Sequence, residues 1–212
     1  GMRGRPDGAP EGAYFDPQEK LRQIPPLFDY LRKRLGDELE LLYDVHERLA
    51  PADGLWLARR LEPHRLFFLE DLFAPEDNDW FEKARCQSAV PLAMGELFSN
   101  PQEILPLVSR RLIDYIRVHV SAIGGITPAL KLAHLCDAFG VRTAFHGPRD
   151  VSPVGMAANV AMDVHLHNFG IQEWALRTDN ERKVFDGIPE VRGGYAYPNG
   201  RPGLGVDVDE KA

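Results

Sequence analysis

Asp44, Glu70 and Glu96 close the apolar runs LELLYD, LFFLE and PLAMGE, and each stands 26 residues after the one before. Carboxylates are hard oxygen donors, and three of them converging on one point is what a divalent cation such as Mg²⁺ asks for. An apolar strand, a loop, a helix and a return loop together take roughly 25–30 residues. The interval is therefore the period of a βα unit, with one acid at the carboxyl end of each strand. These three acids are the candidate metal ligands.

Other chemistry-bearing residues fall at similar places. His46 follows Asp44 by two positions in YDVH. Alternation along a strand turns both side chains to one face, and an imidazole that titrates near neutrality is a candidate general acid or base there. His146 ends VRTAFH, and the GPRD that follows brings Asp150 into the next loop; Glu173 ends GIQE, beside Trp174. Arg117 sits inside the apolar run DYIRVHV and needs a carboxylate partner, from the protein or from a ligand. An acidic sugar would use such an Arg, His and carboxylate set. Simpler readings of the same residues are an internal Arg–Glu pair, a backbone-bonded His and a core Trp. His119, His134, His165 and His167 lack comparable placement and read as structural, and HLHN at 165–168 follows a helix end. The tail VDVDEKA reads as a solvated, frayed end.

The elements that must position these residues alternate regularly. Residues 1–17 are dense in Gly and Pro and read as a loop, and the leading Gly-Met looks like a cloning remnant. Leu21, Ile24, Leu27, Phe28 and Leu31 recur at helical spacing around Pro25 and Pro26, and a helix is expected to start at or just before that Pro pair. Strands are expected at 39–44, 66–70, 91–96, 114–119, 141–146 and 170–173, and helices near 51–61, 78–88, 101–111, 127–139 and 153–164. Asn100-Pro101 with Glu103 is an N-cap device, Thr127-Pro128 repeats it, and Gly140 supplies a stop. Apolar strands joined by helices specify an α/β fold with a parallel sheet. Functional residues at strand carboxyl ends suit either a (β/α)₈ barrel or an open doubly wound sheet. The absence of GxGxxG or GxxxxGK[ST], and three successive acids that converge more easily around a ring, favour the barrel. Six strands against the eight of a closed barrel make residues 18–212 an incomplete TIM-type barrel domain, unless the rest lies in another chain.

Composition narrows the partners. The chain has 212 residues, enough for one domain with a substantial core. A net charge of −7 leaves no basic surface for a polyanion, which argues against nucleic acid. Cys86 and Cys136 fall in amphipathic helical patterns and, with no secretory leader, read as buried reduced thiols of a cytoplasmic protein. No apolar run nears the roughly 18 residues that span a bilayer, so no membrane partner is expected.

The strings LLYDVHERL, FFLEDLFAPED, PLAMGELFSNPQE, LIDYIRVHVSAIGGIT, HGPRDVSPVGMAAN, NFGIQEW and PGLGVDVDE resemble the barrel domain of the enolase superfamily, specifically its mannonate dehydratase branch, which includes proteins named starvation-sensing. The resemblance runs nearly without gaps over residues 36 to 212. It implies that Asp44, Glu70 and Glu96 bind Mg²⁺, that His46 is an acid/base residue, and that Glu96, Arg117, His146, Asp150 and Glu173 line a sugar-acid site. It implies abstraction of the proton α to a carboxylate, metal stabilisation of the enediolate, and loss of the β-hydroxyl as water after protonation by His46. A 2-keto-3-deoxy sugar acid results.

Departures from that family set up the alternative. Its members begin with an α+β capping domain and the first barrel strands, and draw their proton-abstracting Arg and Tyr from that region. Here only GRPDGAPEGAYFDP represents that loop, and Tyr14 is not equivalent to the family Tyr. Pro148 stands beside His146 where relatives carry a smaller residue. The leading expectation is a Mg²⁺-dependent mannonate- or gluconate-like dehydratase, or a fragment of one. The alternative is an inactive truncated barrel that binds metal and ligand in a binding or regulatory role. An incomplete barrel leaves two sheet edges to be covered, so a homo-oligomer is expected, with strands or the N-terminal segment exchanged between copies.

Overall fold

The structure, a computed structural model, describes residues 16–211; most of the Gly/Pro-rich segment, with Tyr14, lies outside the described residues. The chain divides into two compact units, Gly1–Pro91 and Leu92–Ala212.

In the first unit, α1 (Pro17–Leu35) begins well before the Pro pair and runs through it. Asp16 caps it by accepting from the Gln18 N–H at 2.9 Å, and Pro17 occupies the first helical position, where no backbone donor is needed. Pro25 and Pro26 remove two internal donors, a cost of about 3 kcal/mol each in an isolated helix. Burial of Leu21, Ile24, Pro25 and Phe28 on one face offsets that cost, and the Phe28 ring meets Tyr43 edge-on at 5.7 Å. After α1 come β1 (Leu42–Asp44), α2 (Pro51–Leu61), β2 (Phe68–Glu70) and α3 (Trp80–Gln87). β1 and β2 are parallel and pair Leu42 with Phe68, Tyr43 with Leu69, and Asp44 with Glu70. All of β2 is buried, whereas Leu42 and Asp44 of β1 are exposed.

The second unit repeats the pattern with β3 (Leu92–Met94), α4 (Pro101–Ser109), β4 (Tyr115–Ile116), α5 (Ile126–Ala138), β5 (Arg142–Thr143) and α6 (Pro153–His165). The strands are parallel, pairing Met94 with Ile116 and Ile116 with Thr143. Asn100 caps α4 as expected, accepting from the Gln102 N–H at 3.0 Å. Thr127 does not cap α5. Gly124 and Gly125, with φ of 102° and 103°, turn the chain first, and Thr127 falls inside the first helical turn. Gly140 does end that helix, with φ of 73°.

Three further expectations are corrected here. The stretch 170–173 is no full strand: one parallel bridge joins Phe169 to Thr143, and the carbonyl of Phe145 is taken by the Gln172 side chain at 2.9 Å rather than by a backbone donor. The tail is not frayed. α7 (Asp179–Val184) leads into β6 (Phe185–Asp186), the hairpin β7 (Glu190–Arg192) and β8 (Tyr195–Tyr197), and β9 (Asp207–Val208), which returns antiparallel to β6. The return is held by Arg201 on Asp186 at 2.6 Å and by Asn199 donating to the Gly205 carbonyl at 2.7 Å. Cys136 is buried, its thiol pushed up to about 12, but Cys86 is exposed; neither is in a disulfide. Among the described residues no helix is long and apolar enough to cross a membrane.

α6 also carries Asp163, whose carboxylate oxygens are closed to water and accept no hydrogen bond. Burial pushes its pKa up to about 8. The folded form thus holds a proton that an unfolded chain releases near pH 4, so unfolding free energy should fall as pH rises from about 4 to about 8, by several kcal/mol in all. Urea titrations across that window should show the slope, and Asp163→Asn should remove it. An unchanged slope in the variant would assign it to other groups.

Candidate active site

At the carboxyl ends of β1 and β2, the register that pairs Asp44 with Glu70 sends both side chains to the same side of the sheet. The strand pairing continues beyond both ends, with Val45 N–H donating to Glu70 O at 2.9 Å and Glu47 N–H to Asp71 O at 3.0 Å. His46 lies beside Asp44, Nδ1 to Oδ2 at 3.3 Å. Its position does not come from strand alternation, because β1 ends at Asp44. A left-handed turn brings it there: His46, Glu47 and Asp71 have φ of 57°, 51° and 43°. Non-glycine residues hold that conformation at a cost of roughly 1–3 kcal/mol each, and such strain gathers at functional sites.

Asp44, His46 and Asp71 each bring a ligand atom within 4.8 Å of the others. Asp71 was not a sequence candidate, although the paired acids of LFFLED signalled a second carboxylate, and it is fully buried. Lys20, Tyr43, Asp44 and His46 line a groove of about 280 Å³. Burial, then the charge of Asp44, pushes the Tyr43 hydroxyl up to about 12, so it stays a neutral donor.

In the second unit, Glu96 follows Gly95, whose φ is 146°. A Cβ on Gly95 would stand 3.0 Å from the Arg117 nitrogen, so only glycine lets β3 turn so close to the end of β4. Glu96 meets His146, Oε2 to Nε2 at 3.0 Å, with both side chains largely buried. Arg117 is buried and donates to Glu173 Oε2 at 2.7 Å and to the Ala144 carbonyl at 3.0 Å. The same Glu173 oxygen accepts from Gly147 N–H at 2.9 Å. A Cβ on Gly147 would fall 2.1 Å from the Glu173 carbonyl, so a side chain cannot be accommodated there. Asn159 of α6 donates to the His146 carbonyl at 3.1 Å and steadies it from behind.

Asp150 is exposed in the turn after His146, and Arg177 holds the flanking backbone by donating to Val151 O at 2.7 Å. The charge of Asp150 reaches His119, a histidine that its sequence placement marks as structural. The His119 ring lies 5.5 Å from that of His146, and its Nδ1 accepts from Ser121 N–H at 3.1 Å. Burial lowers its pKa, His146 lowers it further, and Asp150 and Glu96 oppose the shift. The signal was present in RVH, where His119 repeats the two-residue step of Asp44 to His46. The structure thus joins Asp44 with His46 and sets Glu70 in register with Asp44; separately, it joins Glu96 with His146 and Arg117 with Glu173. Asn168 of HLHN donates to the Val141 carbonyl at 2.9 Å.

Parallel βα units with acids, histidines and an arginine at the strand carboxyl ends define an α/β domain of a known type. Residues 11–212 match the family described as Enolase C-terminal domain-like, and the chain belongs to that family. It is 55% identical over 207 residues to a D-galactonate dehydratase family member of Enterocloster bolteae, covering 98% of this chain and 51% of that protein. With the D-galactonate dehydratase family member RspA of Pantoea ananatis it shares 53% over 199 residues, 94% of this chain and 48% of the relative. A crystal structure of an enolase from Pantoea ananatis, with D-gluconate and Mg bound, superposes with a TM-score of 0.94 at 52% identity, over 97% of this chain and 50% of that one. The chain therefore spans about half the length of the curated relatives it matches.

The Arg117–Glu173 pair carries a stability prediction. Glu173→Gln removes a counter-charge of a buried guanidinium and should cost about 1–3 kcal/mol in urea unfolding, while Arg117→Met with Glu173→Gln should recover part of the loss. A single variant losing under about 1 kcal/mol would show that the pair does not hold these strand ends.

Proposed function

We propose that this chain is the metal- and sugar-acid-binding part of a Mg²⁺-dependent sugar-acid dehydratase acting on an aldonic acid such as gluconate or mannonate. The observation that carries the reading is the Asp44–His46 pair beside the register-matched Glu70 at the ends of parallel strands. The gluconate and Mg bound to the Pantoea ananatis enolase support its extension to this chain.

The donor set suits a hard cation: Asp44 and its neighbour Asp71 present carboxylates within reach of one another. On this reading Asp44, Glu70 and Glu96 hold the ion. When bound, Mg²⁺ supplies fixed positive charge against the negative charge that develops on the substrate carboxylate. Arg117, His146, Asp150 and Glu173, with Glu96, orient the acid and its hydroxyls. Loss of the α-proton and departure of the β-hydroxyl leave an enol that tautomerises to a 2-keto-3-deoxy acid. His46 gives its proton to the leaving hydroxyl, which departs as water. The resemblance puts the base that takes the α-proton in the region preceding Asp16. A second reading is metal and ligand binding without turnover, since the Arg and Tyr that the family uses for that step belong to a first barrel strand and its loop, outside the half of the relatives that this chain matches.

Two measurements separate these readings. Glu70→Gln should abolish Mg²⁺ binding in calorimetry, and unchanged affinity would refute the three-acid site. With Mg²⁺ present, D-gluconate or D-mannonate should yield a 2-keto-3-deoxy product, and His46→Asn should cut that turnover by roughly 10²–10⁴. Saturable gluconate binding with no product from either acid would favour the binding reading, and full activity in His46→Asn would exclude His46 as the proton donor.

A further inference from the structure

His119 lies half-buried just past the end of β4, two positions after Arg117 and within the second unit. Its Nδ1 accepts the Ser121 N–H at 3.1 Å, so the ring proton of the neutral imidazole sits on Nε2. Burial, the largest influence on this ring, favours that neutral form. The neighbouring donors are already turned to the protein. His146 meets Glu96 through Nε2, and its Nδ1 is closed to water. Arg117 is held by Glu173 and the Ala144 carbonyl. His119 Nε2 is different: among the described residues it meets no acceptor. The ring nevertheless stands 5.5 Å from that of His146 and within the fields of Asp150 and Glu96.

We propose that His119 is a substrate-binding residue whose Nε2–H donates to one hydroxyl of the sugar-acid chain, with Asp150 accepting from that same hydroxyl. The inference deepens the sugar-acid reading and rests on it. A substrate carboxylate would be repelled here by Asp150 and Glu96, whereas a hydroxyl both accepts and donates and so satisfies imidazole and carboxylate together. Because the Ser121 N–H fixes the tautomer, Nε2 offers a proton and cannot accept one. The ring therefore reads whether an oxygen stands at this place, and it discriminates between acids that differ in the setting of one hydroxyl.

The test is calorimetry of D-gluconate binding with Mg²⁺ present, which needs no turnover. His119→Asn keeps an acceptor for the Ser121 N–H but withdraws the reaching donor, and it should weaken binding about tenfold, the worth of one hydrogen bond. His119→Gln restores an N–H near the Nε2 position and should bind within about threefold of the parent. Both should melt with the parent. A role confined to holding the 119–121 turn reverses that order, Asn binding like the parent and Gln weakly, and overturns the proposal; so do equal affinities in all three. Nitrogen NMR of the parent should show the Nε2–H tautomer at His119 and a shift of that signal on adding D-gluconate. Gluconate binding that leaves the signal in place also overturns it. A parent chain that binds no gluconate instead removes the sugar-acid reading itself, and His119's role with it, before any variant is made.

Discussion

One oxygen of Glu173 organises the second unit. It receives the Arg117 guanidinium and the Gly147 N–H, so the end of β4, the loop after β5 and the segment after α6 share one electrostatic anchor. A buried guanidinium is tolerable only with such a partner, and the chain comes this close to Glu173 because residue 147 is glycine, where a Cβ would strike the Glu173 carbonyl. That arrangement ties together three of the segments at the mouth of this unit. His146 follows directly from it, one residue before Gly147, with Asn159 behind and Glu96 in front.

In the first unit the backbone itself sets the strand ends. Backbone pairing runs past the ends of β1 and β2 and sets Asp44, Glu70 and Asp71 side by side, and the left-handed turn at His46 does the rest. The positive-φ backbone and the Asp44 carboxylate 3.3 Å away together fix the imidazole. Packing behind the turn makes that possible: Phe68 and Leu69 of β2 are almost wholly buried, so the strand end cannot relax by shifting.

What was legible in the chain follows from chemistry that repeats. The 26-residue interval could be read because parallel strands need crossovers of similar length, and because strands covered on both faces are apolar throughout. The need of Arg117 for a carboxylate could be read from charge alone. What could not be read depended on non-local packing. The Pro pair looks like a helix start until one sees that Pro25 and Phe28 are buried together, and VDVDE looks frayed until Arg201 and Asn199 bring β9 back to β6. His119 gives the same lesson at the site, since its approach to His146 is made by packing and not by sequence spacing.

The backbone at His46 bears on how such a protein changes over generations. Asparagine is among the residues that accept positive φ most readily, more so than histidine. An amide in place of this imidazole would therefore ease the turn, and a histidine kept here stands against the local preference of the backbone.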